Sequence, residues 1–211
     1  MTALRKKLPP LPERMKKLPV DPRGYPIPWF VGTVDGKRDF RVADQSKRAL
    51  AVRERRCWVC GDKLGVHLAF VIGPMCVINR NTSEPPSHLE CANFAVLACP
   101  FLLLPKSGYR NPPEGSSPLP HAIPGNPGAC AIWVTQSYEP YLVEGSWLIR
   151  IGPAEQVLWF AEGLPATRQQ ILDSINGRIH FLEEIAKQEG PRAEAHLARE
   201  VEGALALLPR G

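Results

Sequence analysis

Four residues in two pairs restrict this chain more than any others. Cys57-Trp58-Val59-Cys60-Gly61 carries a Cys-x2-Cys, and Pro85-Pro86-Ser87-His88-Leu89-Glu90-Cys91 carries a His-x2-Cys. Each pair has the spacing that lets two side chains reach one tetrahedral Zn²⁺. Gly61 gives the first pair the backbone freedom of a tight turn. In the second pair Ser87 and Glu90 have capping-box spacing, and Pro85-Pro86 cannot continue a helix backwards, so a helix is expected to start there. His88 and Cys91 then share one face of its first turn. Cys57, Cys60, His88 and Cys91 are thus the expected metal ligands, with Zn²⁺ as the cofactor. Zinc held by four protein ligands keeps no position open for substrate and acts as a folding device.

The run between the pairs predicts a hairpin. Val66, Leu68, Phe70 and Ile72 alternate, Gly73-Pro74 interrupts, and Val77-Ile78 resume. Knuckle, hairpin and ligand-bearing helix, in that order, resemble a treble-clef zinc finger. Before the knuckle, Trp29 to Val42 predicts another hairpin around Asp35-Gly36, and Asp44 is placed to cap a helix running to about Arg56.

After the module, residues 105–128 hold seven prolines and four glycines, the composition of a long loop. Short β-rich runs follow at Ala129 to Thr135, Tyr141 to Val143, Trp147 to Ile151 and Val157 to Phe160, which predict an antiparallel sheet. Trp133, Trp147 and Trp159 are read as core aromatics. The end is helical: Ile171, Leu172, Ile175, Ile179, Leu182 and Ile185 form one stripe, capped by Thr167. Leu197, Val201, Leu205 and Leu208 form another beyond Glu189-Gly190-Pro191. This pattern predicts an αα-hairpin that packs on the sheet or on a second copy of the chain, making a homo-oligomer.

The expected fold class is therefore α+β: a treble-clef-like zinc module, a small antiparallel sheet and a C-terminal αα-hairpin. Its divisions are a basic Pro-rich arm (1–28), the zinc module with its hairpin and helix (29–104), the Pro/Gly-rich loop (105–128) and the strands with their two helices (129–211). With seven prolines, the arm is expected to be extended, mobile and of little consequence for stability. It lacks the apolar stretch of a signal peptide, and Phe94 to Leu104 is too short to span a bilayer, so no membrane contact is expected. Cys76, Cys99 and Cys130 sit in apolar surroundings typical of buried free thiols, and a reducing, cytoplasmic location is expected.

The net charge of +5 is unevenly placed. Residues 1–24 hold seven basic and two acidic residues, which already accounts for it. Residues 37–56 hold eight basic and three acidic residues, whereas residues 161–211 hold six and eight. A polyanion should therefore meet the N-terminal third. If the partner is nucleic acid, the contacts should be Lys37, Arg38, Arg41, Lys47, Arg48, Arg53, Arg55 and Arg56. The C-terminal basic charges Arg53, Arg55 and Arg56 also suit the end of a helix dipole.

The segments Asp21-Pro22-Arg23-Gly24-Tyr25-Pro26-Ile27-Pro28-Trp29-Phe30, Cys57 to Gly61, Ala69-Phe70-Val71-Ile72-Gly73-Pro74-Met75 and Pro85 to Cys91 resemble a family of uncharacterised proteins from tailed phages and bacterial genomes. The resemblance covers roughly residues 20–103. It implies a phage or bacterial source, a zinc site and no particular mechanism.

Three functions compete. The first is a non-catalytic zinc protein that contacts nucleic acid. The second is a protein-interaction or inhibitor module acting on a host or phage protein. The third is an HNH-like nuclease, since that fold is also a treble clef. A nuclease needs a general-base histidine and further metal ligands. Only His67, Asn79, Asn81 and Asp62 lie near enough in sequence, and His67 has no acidic or histidine neighbour there.

Overall fold

Alternation of side-chain direction along one strand, with both faces covered, explains the architecture. In a computed structural model, which describes residues 8–104, 126–143 and 145–210, strand β3 (Leu68–Ile72) sends Leu68, Phe70 and Ile72 to one face and Ala69 and Val71 to the other. Strand β5 (Ala129–Thr135) lies antiparallel beside it and is buried at all seven positions. Its uninterrupted apolar run follows, because both faces of the sheet are covered. Strands β8 (Gln156–Ala161) and β9 (Leu164–Pro165) complete the order β3-β5-β8-β9.

The strands expected to make one sheet are divided between two. β7 (Ser146–Ile151) pairs with β6 (Tyr138–Val143) on one side and with the short β4 (Asn81–Thr82) on the other, in the order β4-β7-β6. Trp133 and Trp159 are buried, as expected of core aromatics, whereas Trp147 on β7 is only half-buried.

On one face of the β3–β5 sheet lies helix α3 (Leu89–Ala98), through Ala92 and Val96, followed by the one-turn helix α4 (Pro100–Leu103). The other face holds the larger core, where Phe70, Trp133, Ile149 and Trp159 meet Ile171 and Ile175. Helix α2 (Pro74–Asn79) packs there against helix α5 (Arg168–Asn176) and helix α7 (Pro191–Leu205). α2 stands where the second strand of a hairpin was expected. Gly73 is its N-cap and Pro74 its first residue, so the Gly-Pro break starts a helix rather than a β-turn. Val66, the first residue of the expected alternation, precedes the strand and is exposed.

The C-terminal region also differs from its expected form. Its first helix is two: α5 ends at Gly177, whose N–H returns to the Asp173 carbonyl at 3.0 Å, and α6 (His180–Glu189) begins anew. The region therefore holds three helices, with α6 against α7. Thr167 caps α5 in a reciprocal box with Gln170. Ala204 and Leu208 are buried and Leu197, Val201 and Leu205 pack on the same core, so this stripe is covered within the chain.

Upstream, β1 (Val31–Val34) and β2 (Lys37–Ala43) form the expected hairpin. Asp35 and Gly36 both have positive φ, 48° and 74°, as a type I′ turn requires. The Asp44 side chain accepts from the Ser46 and Lys47 N–H groups and caps helix α1 (Gln45–Glu54). The expected loop at 105–128 lies outside the described residues except for 126–128. No helix among the described residues is long and apolar enough to cross a membrane.

The arm is seated on the body over its described part. Residues 13–15 form one 3₁₀ turn that buries Met15, and Leu8, Leu11 and Leu18 pack in the same cluster. The expectation of a segment without stabilising contacts is corrected: leucines between prolines need no helix to bury their side chains.

Arg48 ties the two halves together. It is buried on α1 and donates from Nε to the Ser83 carbonyl at 2.8 Å and from Nη2 to the Trp147 carbonyl on β7. Replacing it with leucine leaves both carbonyls without their charged donor. We expect Arg48→Leu to cost about 2–3 kcal/mol, the scale of a buried hydrogen bond to a charged group, read as a lowered midpoint in urea denaturation.

Candidate metal centre

The first ligand pair is held by a closed turn. Cys57 N–H donates to the Asp62 carbonyl at 2.7 Å, and Gly61 N–H returns to the Cys57 carbonyl at 2.9 Å. Cys60 N–H points at Cys57 Sγ, 3.4 Å away. Arg56 and Lys63 bridge as antiparallel neighbours on either side of the turn. Gly61 has φ +80°, and a Cβ there would lie 2.7 Å from Cγ of Trp29, whose own N–H donates to the Val59 carbonyl. The glycine is needed for its conformation and for the indole against it.

The second pair is fixed by the sheet. Ser87 exchanges both backbone hydrogen bonds with Ala69 of β3, at 2.8 and 2.9 Å, and Trp58 N–H reaches the Pro86 carbonyl at 3.0 Å. α3 then starts with His88 as its N-cap residue. The expected capping box is absent: no side chain caps this helix, and Glu90 instead pairs with Arg14 at 3.0 Å. The Ser87 backbone is engaged by β3, so the helix begins one residue later than the sequence pattern implied.

These constraints bring Cys57, Cys60, His88 and Cys91 together. One donor atom from each lies within 4.8 Å of all the others, and all four residues are buried. His88 Nδ1 is 3.4 Å from Cys60 Sγ and 4.0 Å from Cys91 Sγ. Ligand atoms around one tetrahedral ion with metal–sulfur bonds of about 2.3 Å lie roughly 3.5–3.8 Å apart, so the donor set fits a metal ion. His88 Nε2 is 3.0 Å from the Lys63 carbonyl. A proton on Nε2 donated there leaves the Nδ1 lone pair facing the thiols, the outer bond that orients a ligating histidine.

The charges at the centre favour a cation. Burial opposes a thiolate at Cys57, but hydrogen bonds from Cys60, Cys91 and His88 outweigh it and hold that thiol far below its usual range. Hydrogen bonds to Cys57 and Cys60 raise His88 to about 10. Hydrogen bonds to Cys57 and Cys60, together with burial, push Cys91 up. A divalent cation removes the repulsion that three thiolates would otherwise exert on one another. The other cysteines differ, since burial pushes Cys76 and Cys130 up to about 12 as neutral thiols.

The basic residues expected to contact nucleic acid are dispersed in their roles. Arg48 is buried and has no face for a phosphate. Arg41 pairs with Asp39, Lys47 with Asp44 at 3.5 Å, and Arg53 and Arg56 share Glu54. Arg55 lies over the Tyr138 ring, 5.6 Å from its centroid. Among the described residues no carboxylate pairs with Lys37, Arg38 or Arg55. Arg38 donates to the Val31 carbonyl across the hairpin.

Beside the centre is an open groove of about 800 Å³, lined by His88, Lys63, Leu89, His67 and Glu155. His67 Nδ1 is 2.8 Å from Glu155 Oε2. The histidine therefore has the acidic neighbour missing from its local sequence. Glu155 precedes β8, and only the sheet order β3-β5-β8 brings it across β5 to the residue before β3.

Scans of family models, of curated proteins and of solved structures return no match to this chain.

Both ligand pairs should be needed. Purified protein is expected to carry about one metal equivalent per chain, and Cys60→Ser or Cys91→Ser should lose the metal and unfold the central module, because its binding energy is folding energy. Acidification should release the metal, since protons compete for the thiolates and His88. Metal analysis and circular dichroism across pH check this; folded, metal-loaded variants would contradict it.

Proposed function

We propose that this is a non-catalytic zinc protein whose metal centre is a folding device and whose N-terminal third contacts nucleic acid. The donor set carries the first half of this reading. Three thiols and one imidazole, all buried, suit Zn²⁺ better than hard oxygen-seeking cations, and four protein ligands complete a tetrahedron. The module resembles a treble clef in its knuckle and ligand-bearing helix, with α2 in place of the hairpin's second strand.

Charge supports the second half. Local ion pairs use all three acids of residues 37–56, yet the eight basic residues leave a clear excess. With Arg48 set aside, Lys37, Arg38 and Arg55 are the charges best placed to meet phosphate, and Arg41, Lys47, Arg53 and Arg56 supply the surrounding field.

A protein partner is the second reading, favoured by the exposed apolar side chains of Val66, Leu142, Leu164 and Ile185. Salt dependence separates the two.

Binding of labelled DNA and RNA oligonucleotides, followed by fluorescence anisotropy, should weaken steeply as salt rises. Lys37→Glu combined with Arg38→Glu should weaken it further and lower the log–log slope by about 0.7–0.9 per lost phosphate contact. Zinc content should not change. No measurable affinity at about 50 mM salt, where phosphate contacts are strong, would overturn the nucleic-acid reading in favour of a protein partner.

A further inference from the structure

The segment preceding the hairpin is fastened to both halves of the metal centre. Met15 is 1% exposed and shares a cluster with Cys57, Cys60, Cys91 and Phe94. Leu8, Leu11 and Leu18 flank it. The turn that aims it is closed by Met15 N–H donating to the Pro12 carbonyl at 2.9 Å. On either side of Met15 is a charge clamp. Arg14 pairs with Glu90, the residue before Cys91, and Lys17 pairs with Asp62, two residues after Cys60. One short segment thus bridges the two ligand pairs and covers the sulfur side of the centre.

We propose that residues 8–18 are a strap that seals the metal centre and sets how fast its metal exchanges. The thiolates of a four-ligand site are reached by a competing ligand only when something covering them moves. Here the cover is a single turn without sheet pairing, held by one methionine, three leucines and two surface ion pairs. Its local opening is therefore cheaper than unfolding the β3–β5 sheet. Opening exposes the cysteine sulfurs while the Lys63 carbonyl, which is not part of the strap, keeps His88 oriented. The strap governs the rate of metal loss, whereas the four ligands govern whether metal is held.

The proposal rests on the metal reading above, and one experiment keeps the two apart. Full-length zinc-loaded protein is mixed with excess chromogenic pyridylazo chelator and the transfer rate followed. Variants are Met15→Ala, Arg14→Glu with Lys17→Glu, and a charge swap of Lys17→Glu with Asp62→Lys. Met15→Ala should release zinc roughly tenfold faster or more, the least expected when a buried methionine side chain is cut back from a locally opening segment. The double charge reversal should also accelerate release, and the swap, which keeps the Arg14–Glu90 pair and re-forms the 17–62 pair with its signs exchanged, should stay near the wild-type rate. Stoichiometry and circular dichroism should stay those of wild type. Arg48→Leu, which weakens the fold away from the strap, serves as the comparison. Unchanged rates in the folded strap variants, or equal acceleration by Arg48→Leu, would overturn the proposal. Protein that purifies without metal would instead overturn the metal reading. The charge variants leave the core untouched and keep the test decisive if Met15→Ala does not fold.

Discussion

Convergence of three thiols and an imidazole is the constraint on which the first half of the chain depends. The four donors come from a turn after α1 and from the start of α3, and neither is positioned by its own sequence alone. Asp62 and Gly61 close the first turn on Cys57, and Ala69 of β3 fixes Ser87 beside the second. Segments remote in sequence then fasten to the same place. Trp29 sits against Gly61, Trp58 stacks on Phe30 with ring centroids 4.7 Å apart, and Met15 closes the sulfur side. These contacts from remote segments share one node, the four-residue Cys/His cluster whose donor set fits a metal ion.

Charge has a double use in this chain. Arg48 and Arg56 donate to backbone carbonyls, and Arg55 covers an aromatic ring. Arg48 and Arg55 thereby join the N-terminal half to β7 and β6, while Arg56 braces the Cys57–Cys60 turn at the Gly61 carbonyl. Burial pushes Glu84 up to about 7 while Arg48 draws it the other way, so the environment around that arginine is costly for charge. The excess that remains for a polyanion is on the hairpin and at the exposed end of α1, where solvent keeps it available.

The Cys57, Cys60, His88 and Cys91 cluster was legible because each pair lies within one turn, and spacing carries the information. The Asp35-Gly36 turn and the Asp44 cap were legible for the same reason. Gly73-Pro74 was ambiguous, since one dipeptide begins a β-turn or a helix, and burial of Val77 and Ile78 against α7 decides for the helix. Asn176-Gly177 interrupts a continuous apolar stripe that periodicity joined into one helix. Met15 and Glu155 were missed for a different reason. Their partners are fixed by tertiary packing, and no local pattern marks a methionine in a basic, Pro-rich segment as core or pairs a glutamate before β8 with a histidine before β3. Arg48 looked like its basic neighbours because charge counting does not register burial.

The claim that Cys57, Cys60, His88 and Cys91 bind one tetrahedral ion is tested most directly by X-ray absorption at the zinc edge on the purified, metal-loaded chain. The account predicts three sulfur ligands at about 2.3 Å and one nitrogen at about 2.0–2.1 Å, with no solvent oxygen in the first coordination sphere. A shell dominated by oxygen or nitrogen, or one with fewer than three sulfurs, would contradict it.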